Sequence, residues 1–337
     1  MSSRTRVWII GSGKRVRETA LPAFLRAEEH FEITSVWARS EKELDIDGRR
    51  LAVRPLEQCA SAQTEQVDLV YVAVGKAATH VVLERLLALG AGRADLLIDT
   101  PVLVFKHFRH TPLLARFRRS WVAEDCAYLP WIPLVHGAVE SGMIGRLRSA
   151  RFEHSAYAYH ANSTLKALVP GCALLNARRV RLGEGQSERR FQFTRQWSAS
   201  VVDPRDYARG RFRIEGEKAA LADAGEGLRI GLEGIDTLRA GDLTHPLDER
   251  EQWLLGASCR GLSLTAAQEA MKRVGFLRLL RSIAAGRGAY PLADGLDDML
   301  SDYWLEKTGR WWSTPLTSVR SPLARGLYRA VSTLGAR

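Results

Sequence analysis

The sequence predicts an α/β protein in two parts: a doubly wound parallel sheet, then an α+β domain with a mostly antiparallel sheet. Three observations predict this. Short apolar runs alternate with helical patterns up to about residue 125. The first run ends in a glycine turn, Gly11-Ser12-Gly13. Beyond Gly145 the pattern changes to strand-like segments separated by turn residues, and helices return only from Thr265. The 337-residue chain divides accordingly into residues 1–125, residues 126–316 and a basic tail, residues 317–337.

Val7–Ile10 is the first strand, and Val16, Ala20, Leu21 and Phe24 share one helical face behind it. Strand, tight turn and helix make a Rossmann-like opening. Glycines let the backbone turn sharply and approach a pyrophosphate, and the helix N-terminus offers free N–H groups to it. Gly11, Ser12, Gly13, Lys14 and Arg15 are the candidate cofactor contacts, with an ordinary strand–helix turn as the alternative. Val16 stands where the dinucleotide fingerprint has its third glycine, which bends the motif without abolishing it.

Phe31–Ala38 is the second strand. It ends in Arg39-Ser40, where an acidic residue usually holds the adenosine ribose. A guanidinium pairs with a 2′-phosphate that a carboxylate would repel, so if a dinucleotide binds here NADP is favoured over NAD. An exposed loop arginine is the alternative. Val67–Val74 is a near-continuous apolar run, as in a strand buried on both faces. Val74, Gly75 and Lys76 close it, and a helix follows over Thr79–Leu89, with His80 in its first turn to cap or pack it. Leu96–Ile98 ends in Asp99-Thr100-Pro101, and Trp121–Ala123 is a further strand. A helix runs from Pro130 to Ser141.

The second part is read as strands over Arg148–Tyr159, Arg190–Val201, Gly210–Glu215 and Leu228–Leu232, with Leu182–Arg189 as a loop. Helices follow at Thr265–Arg273, Phe276–Ala285 and Gly295–Thr308. Asp297, Asp298 and Asp302 read as a solvated helix face rather than a metal site, and Trp311-Trp312 as packing. In the tail, Leu323, Leu327, Val331 and Leu334 lie along one face, with Arg325, Arg329 and Arg337 elsewhere. That pattern predicts a terminal helix docking on the protein; contact with an anionic membrane surface is the alternative.

The formal charge of +11 is carried mostly by arginine. It suits a solvated basic surface or attraction to anionic small ligands. No aromatic RNA-binding motif or zinc-finger spacing supports a nucleic-acid partner. Cys59, Cys126, Cys172 and Cys259 are scattered without a CxxC pair, so no metal site or disulfide framework is indicated and a cytoplasmic setting fits. No stretch has the roughly 18 apolar residues of a membrane span.

Four segments, taken in order, resemble the glucose-fructose oxidoreductase / inositol dehydrogenase / rhizopine-catabolism (Gfo/Idh/MocA) family. They are Gly11-x-Gly13 with Leu21-Pro22-Ala23; Val67–Val74 with His80 behind; Asp99-Thr100-Pro101, where the family has Glu-Lys-Pro; and Glu124–Pro130 followed by Gly142-Met143-Ile144-Gly145. The resemblance implies a nicotinamide-dependent oxidoreductase acting on a sugar, polyol or related small metabolite. It also implies a homo-oligomer, most simply a two-fold dimer. Three family positions for proton transfer are changed. Thr100 replaces the lysine, Asn176 the aspartate and Val180 the histidine, while Asp125 and Ala127 replace an asparagine and an arginine. Thr100 and Asn176 can hydrogen-bond but supply no proton at neutral pH. Lys76, after the third strand, is the replacement candidate, with a surface or phosphate contact as the alternative. Lys166, Tyr157, Tyr159 and His160 are further candidates for the same cleft. Two readings of function follow: an NADP-preferring oxidoreductase with an altered proton relay, imine reduction among its possible chemistries, or a catalytically silent nucleotide-binding relative with a regulatory or scaffolding role.

Overall fold

A computed structural model describes residues 4–334. The chain forms two compact units. The first takes the described residues through Glu124, then Phe276–Met299, then those from Ser318 onward; the second takes Asp125–Gly275 and Leu300–Thr317. The first unit is therefore discontinuous in sequence.

Seven strands of the first unit are β1 (Thr5–Ile10), β2 (Phe31–Ala38), β3 (Lys42–Ile46), β4 (Arg49–Pro55), β5 (Leu69–Val72), β6 (Asp95–Ile98) and β7 (Ser120–Val122). The sheet order is β7-β6-β5-β1-β2-β4-β3, with a short strand, Tyr290–Pro291, added outside β7. All pairs are parallel except β3–β4 and the Tyr290–Pro291 edge. β1 lies at the centre. The chain leaves it towards β2 on one side and returns to β5, β6 and β7 on the other, so a topological switch point falls between β1 and β5.

The apolar runs of β1, β5 and β6 are buried almost throughout. Phe24 packs edge-on against Phe31 and Phe276, and Tyr71 joins them. Val16 is fully buried where a glycine would let the helix lie closer to β1. The helix accommodates this β-branched side chain by widening into a π turn, Val16–Ala20, before continuing as α1 (Leu21–Arg26). The β3–β4 hairpin turns at Asp47-Gly48, both at positive φ, the pair a two-residue hairpin turn favours. The terminal helix Pro322–Leu334 docks within the first unit through Ala324 and Tyr328, the latter against Phe105 and Phe108, while Leu323, Leu327 and Val331 of the expected docking face are exposed. Arg337 lies outside the described residues.

The second unit carries β8 (Leu147–Glu153), β9 (Leu174–Gly183), β10 (Gln186–Phe193), β11 (Ser198–Asp203), β12 (Arg211–Gly216), β13 (Ala220–Ala222), β14 (Leu228–Glu233), β15 (Thr237–Ala240) and β16 (Leu243–Pro246). Its sheet order is β16-β15-β14-β13-β12-β8-β11-β10-β9, and Arg310–Trp312 pairs beyond β9. Only β8–β11 and β13–β14 are parallel. No helix among the described residues is long and apolar enough to cross a membrane.

Several expectations are corrected here. Leu182–Arg189 is not a loop: β9 and β10 form a hairpin through it, turning at Glu184-Gly185. Arg190–Val201 is two strands, because Arg195 and Gln196 take positive φ and break it. The strand expected to run to Tyr159 stops at Glu153, and a helix follows at Ala158–Leu168. The helices expected on either side of Gly275 are one, Gln268–Ala284. Gly275 is required by close approach: a Cβ there would lie 2.5 Å from the Asp125 carbonyl oxygen. The aspartates of helix Leu292–Thr308 do not form a solvated face. Asp298 accepts from Tyr290 Oη at 2.6 Å, Asp297 accepts from Ser318 and Val319, and Asp302 pairs with Arg189.

Candidate functional site

The carboxyl ends of the parallel strands gather most of the expected site residues on one edge of the first sheet. β1 delivers Gly11, Ser12 and Gly13, and β2 delivers Arg39 and Ser40. β5 delivers Val74, Gly75 and Lys76, and β6 delivers Asp99, Thr100 and Pro101.

At the switch point the chains are in contact. Gly11 N donates to the Trp37 carbonyl at 2.7 Å, and Ala73 N donates to the Ile10 carbonyl at 2.8 Å. A Cβ on Gly11 would lie 2.1 Å from the Ala73 oxygen, and its φ of +126° is itself a glycine conformation. Gly13 is different: no atom lies within 4 Å of where its Cβ would be. The first bond of the helix is Arg17 N to Gly13 O at 3.1 Å, so the N–H groups ahead of it have no partner within the helix. An exposed glycine backbone before a helix N-terminus suits a pyrophosphate. Lys14 is exposed and pairs with Glu18 at 3.7 Å. Arg39 and Ser40 are exposed beyond β2, and the Arg39 guanidinium has no partner among the described residues. These features fit the adenosine and pyrophosphate half of a dinucleotide.

Over the ends of β5, β6 and β7 lies a charged cluster. Arg15 Nε donates to Asp99 Oδ1 at 3.0 Å, and Arg15 Nη2 donates to the Ala123 carbonyl at 3.3 Å. Lys76 Nζ donates to the Asp99 carbonyl at 3.0 Å and stands 3.9 Å from Asp99 Oδ2. Burial holds the Lys76 ammonium below the usual lysine range; Asp99 opposes that shift and Arg15 reinforces it. Lys76 is thus a mostly buried, tunable proton donor beside a carboxylate. Arg15, expected at the cofactor, turns its guanidinium to Asp99. Thr100 is half-buried and its hydroxyl has no partner among the described residues.

Two expected residues stand elsewhere. Asn176 lies on β9 in the second unit, paired across the strands with Gln192, and its amide donates to Gln192 Oε1 at 2.7 Å. Its surroundings on the open face of that sheet include Arg178 and Arg190. His80, in α2 (Thr79–Ala88), packs in a histidine cluster whose ring centroids lie 4.2 Å from His107 and 4.4 Å from His110. The His107-x-x-His110 spacing was a readable signal for this cluster that went unused.

Burial holds the His107 and His110 imidazoles below the usual histidine range. His80 pushes both the same way, as do Lys106 on His107 and Arg109 on both, while Glu84 opposes the shift at His110. The unfolded chain takes up these protons near pH 6.5 and the fold resists them. Their contribution is complete above about pH 6.5 and is lost as pH falls below it. The melting temperature should therefore drop between about pH 7.5 and about pH 5, and His107→Gln should narrow that drop. Identical pH dependence in wild type and variant would remove the cluster as the cause.

No protein-family model matches this chain, and no curated protein matches it. Solved structures do. Levoglucosan dehydrogenase in complex with NADH and L-sorbose superposes with a TM-score of 0.62 at 14% identity, covering 91% of this chain and 97% of that one. Scyllo-inositol dehydrogenase from Lactobacillus casei, with bound NAD(H) and scyllo-inositol, gives 0.59 at 13% identity, covering 92% and 99%. An oxidoreductase from Agrobacterium radiobacter, in complex with NAD+, L-tartaric acid and magnesium, gives 0.60 at 13% identity, covering 92% and 98%. These neighbours are oxidoreductases of the Gfo/Idh/MocA type, and this chain shares their fold. Within the Gfo/Idh/MocA fold the likeness covers both sheets. At this identity it carries the architecture and not the individual side chains.

Proposed function

We propose that the chain is an NADP-preferring oxidoreductase of a sugar, polyol or related small metabolite, with Lys76 as its proton-handling group. The observation that carries this reading is Lys76: a mostly buried ammonium beside Asp99, with its pKa lowered, at the carboxyl edge of the sheet. Nicotinamide cofactors in the Gfo/Idh/MocA-fold structures named above support the cofactor class, and their inositol and sorbose ligands support the substrate class. Gly11, Gly13 and the helix start would hold the pyrophosphate, and Arg39 with Ser40 the 2′-phosphate. The bound cofactor supplies or accepts hydride. In the reducing direction, Lys76 gives a proton to the forming alkoxide oxygen, is left as the neutral amine and is reprotonated from solvent. Thr100 hydrogen-bonds the same oxygen. The open face of the second sheet is where two copies would meet.

Cofactor titration tests this. A charged contact to the 2′-phosphate contributes about 1.5–3 kcal/mol, so NADPH should bind about ten-fold or more tighter than NADH, and Arg39→Ala should erase the difference. Equal wild-type affinities would sink the preference.

A second reading, a silent nucleotide-binding relative, is favoured by Arg15. Its side chain is tied to both Asp99 and the Ala123 carbonyl over the ends of β6 and β7. NADPH binding without turnover on polyols, sugars, keto compounds or imines would select that reading.

A further inference from the structure

Just past the end of β7, where the second unit begins, three unlike metal-binding side chains come together beside Glu124. Asp125 and Cys126 begin a 3₁₀ turn, Asp125–Tyr128, and His160 sits in the first turn of the helix Ala158–Leu168. One carboxylate oxygen each of Glu124 and Asp125, the Cys126 sulfur and one ring nitrogen of His160 all lie within 4.8 Å of one another. Asp125 is fully buried and Cys126 is 4% exposed.

The three side chains are held in place by their supports. Thr164, one turn after His160, donates its hydroxyl to the Cys126 carbonyl at 3.1 Å and to the His160 carbonyl at 3.2 Å. That clips the helix to the turn. Gly275 lets the helix Gln268–Ala284 back directly onto the Asp125 carbonyl. A small cavity touches both Cys126 and His160, with Tyr157, Thr164, Tyr207 and Gln268 also on its wall.

We propose that Asp125, Cys126 and His160, with the adjacent Glu124 carboxylate as the fourth donor, form a mononuclear site for a zinc-type divalent cation. Zinc–ligand bonds of about 2.0–2.3 Å in a tetrahedron place ligand atoms roughly 3.3–3.7 Å apart. Side-chain adjustments of about an ångström within the 4.8 Å cluster reach that spacing. The donor set selects the metal class: one thiolate and one imidazole favour zinc or cobalt over magnesium and calcium, which take oxygen ligands. Two carboxylates and a thiolate supply the negative charge that a buried dication requires. On binding, the Cys126 thiol loses its proton to solvent as the metal–sulfur bond forms. Four protein ligands close the tetrahedron, the arrangement of structural rather than catalytic zinc sites.

The test is made on the purified full chain, with the metal alone as probe. After loading with zinc and dialysis against metal-free buffer, about one zinc per chain should remain. Cobalt loading should give a thiolate-to-metal charge-transfer band in the near ultraviolet. Cys126→Ser should abolish that band, and His160→Ala should weaken zinc binding by about 100-fold or more. Cys172→Ser serves as the control and should change neither readout. Circular dichroism and the melting temperature of each metal-free variant establish that it is folded. A wild-type protein that retains no zinc and gives no cobalt–thiolate band overturns the site, as does a band that survives in folded Cys126→Ser protein. A second retained zinc lost in Cys172→Ser would place the metal elsewhere and also count against it.

Discussion

Lys76→Met should lower kcat by about 10²-fold or more on any substrate the protein turns over with NADPH. The replacement keeps most of the length of the side chain and removes its proton. Asp99 does not become an orphaned charge, because Arg15 still pairs with it at 3.0 Å. NADPH affinity should therefore change little while kcat falls, which separates a lost proton donor from a damaged cradle. The pH profile gives a second readout. In the reducing direction the ammonium is the active form, so the rate should fall as pH rises through the Lys76 pKa, which burial places below the usual lysine range. That descending limb should be absent from the residual activity of Lys76→Met. Unchanged turnover in the variant would take Lys76 out of the mechanism.

Arg189→Met should destabilise the second unit by about 3–5 kcal/mol, the usual effect of breaking a buried ion pair from one side. The Arg189 side chain is 7% exposed. Its guanidinium stands 3.0 Å from Asp203 and also meets Asp302 and Glu306, one helical turn apart. Burial pushes the Asp203 and Asp302 carboxyls up, even with the arginine beside them. Without Arg189, Asp203 and Asp302 lose the cation that pairs with them, while Glu306 keeps Arg179 at 2.6 Å. Urea unfolding should show the transition midpoint shifted down at an unchanged slope. Arg151→Met is the comparison: that side chain is 48% exposed on the open sheet face, and its loss should cost about 1 kcal/mol or less. Equal effects of the two substitutions would mean that Arg189 is solvated in solution.

The elements read correctly from sequence were those whose burial writes itself into hydropathy. β1 and β5 are buried on both faces, and their apolar runs say so. The second sheet is harder because one face is open and charged. β10 alternates Arg189, Phe191 and Phe193 with Arg190 and Gln192, so a strand looks like a polar loop over Leu182–Arg189. The helix Ala158–Leu168 was hidden by its aromatic, strand-like start. Gly275 reads as a helix break until the neighbouring Asp125 carbonyl is known. At the candidate site, the glycine turn was legible because the backbone conformation of Gly11 requires it. The Arg15–Asp99–Lys76 cluster was not, since its members are far apart in sequence and meet only when the strands align. Asn176 was matched by pattern, and its hydrogen bond to Gln192 on the neighbouring strand has no local signal in the sequence.

The split layout of the first unit has a consequence for synthesis on the ribosome. β7 is completed early, but the strand that pairs outside it, Tyr290–Pro291, emerges about 170 residues later. At about 5–20 residues per second, the β7 edge remains unpaired for roughly ten to thirty seconds. Unpaired strand edges are templates for association with other chains. Nascent chains of this protein should therefore depend on holding chaperones during that interval, and slower translation lengthens the exposure.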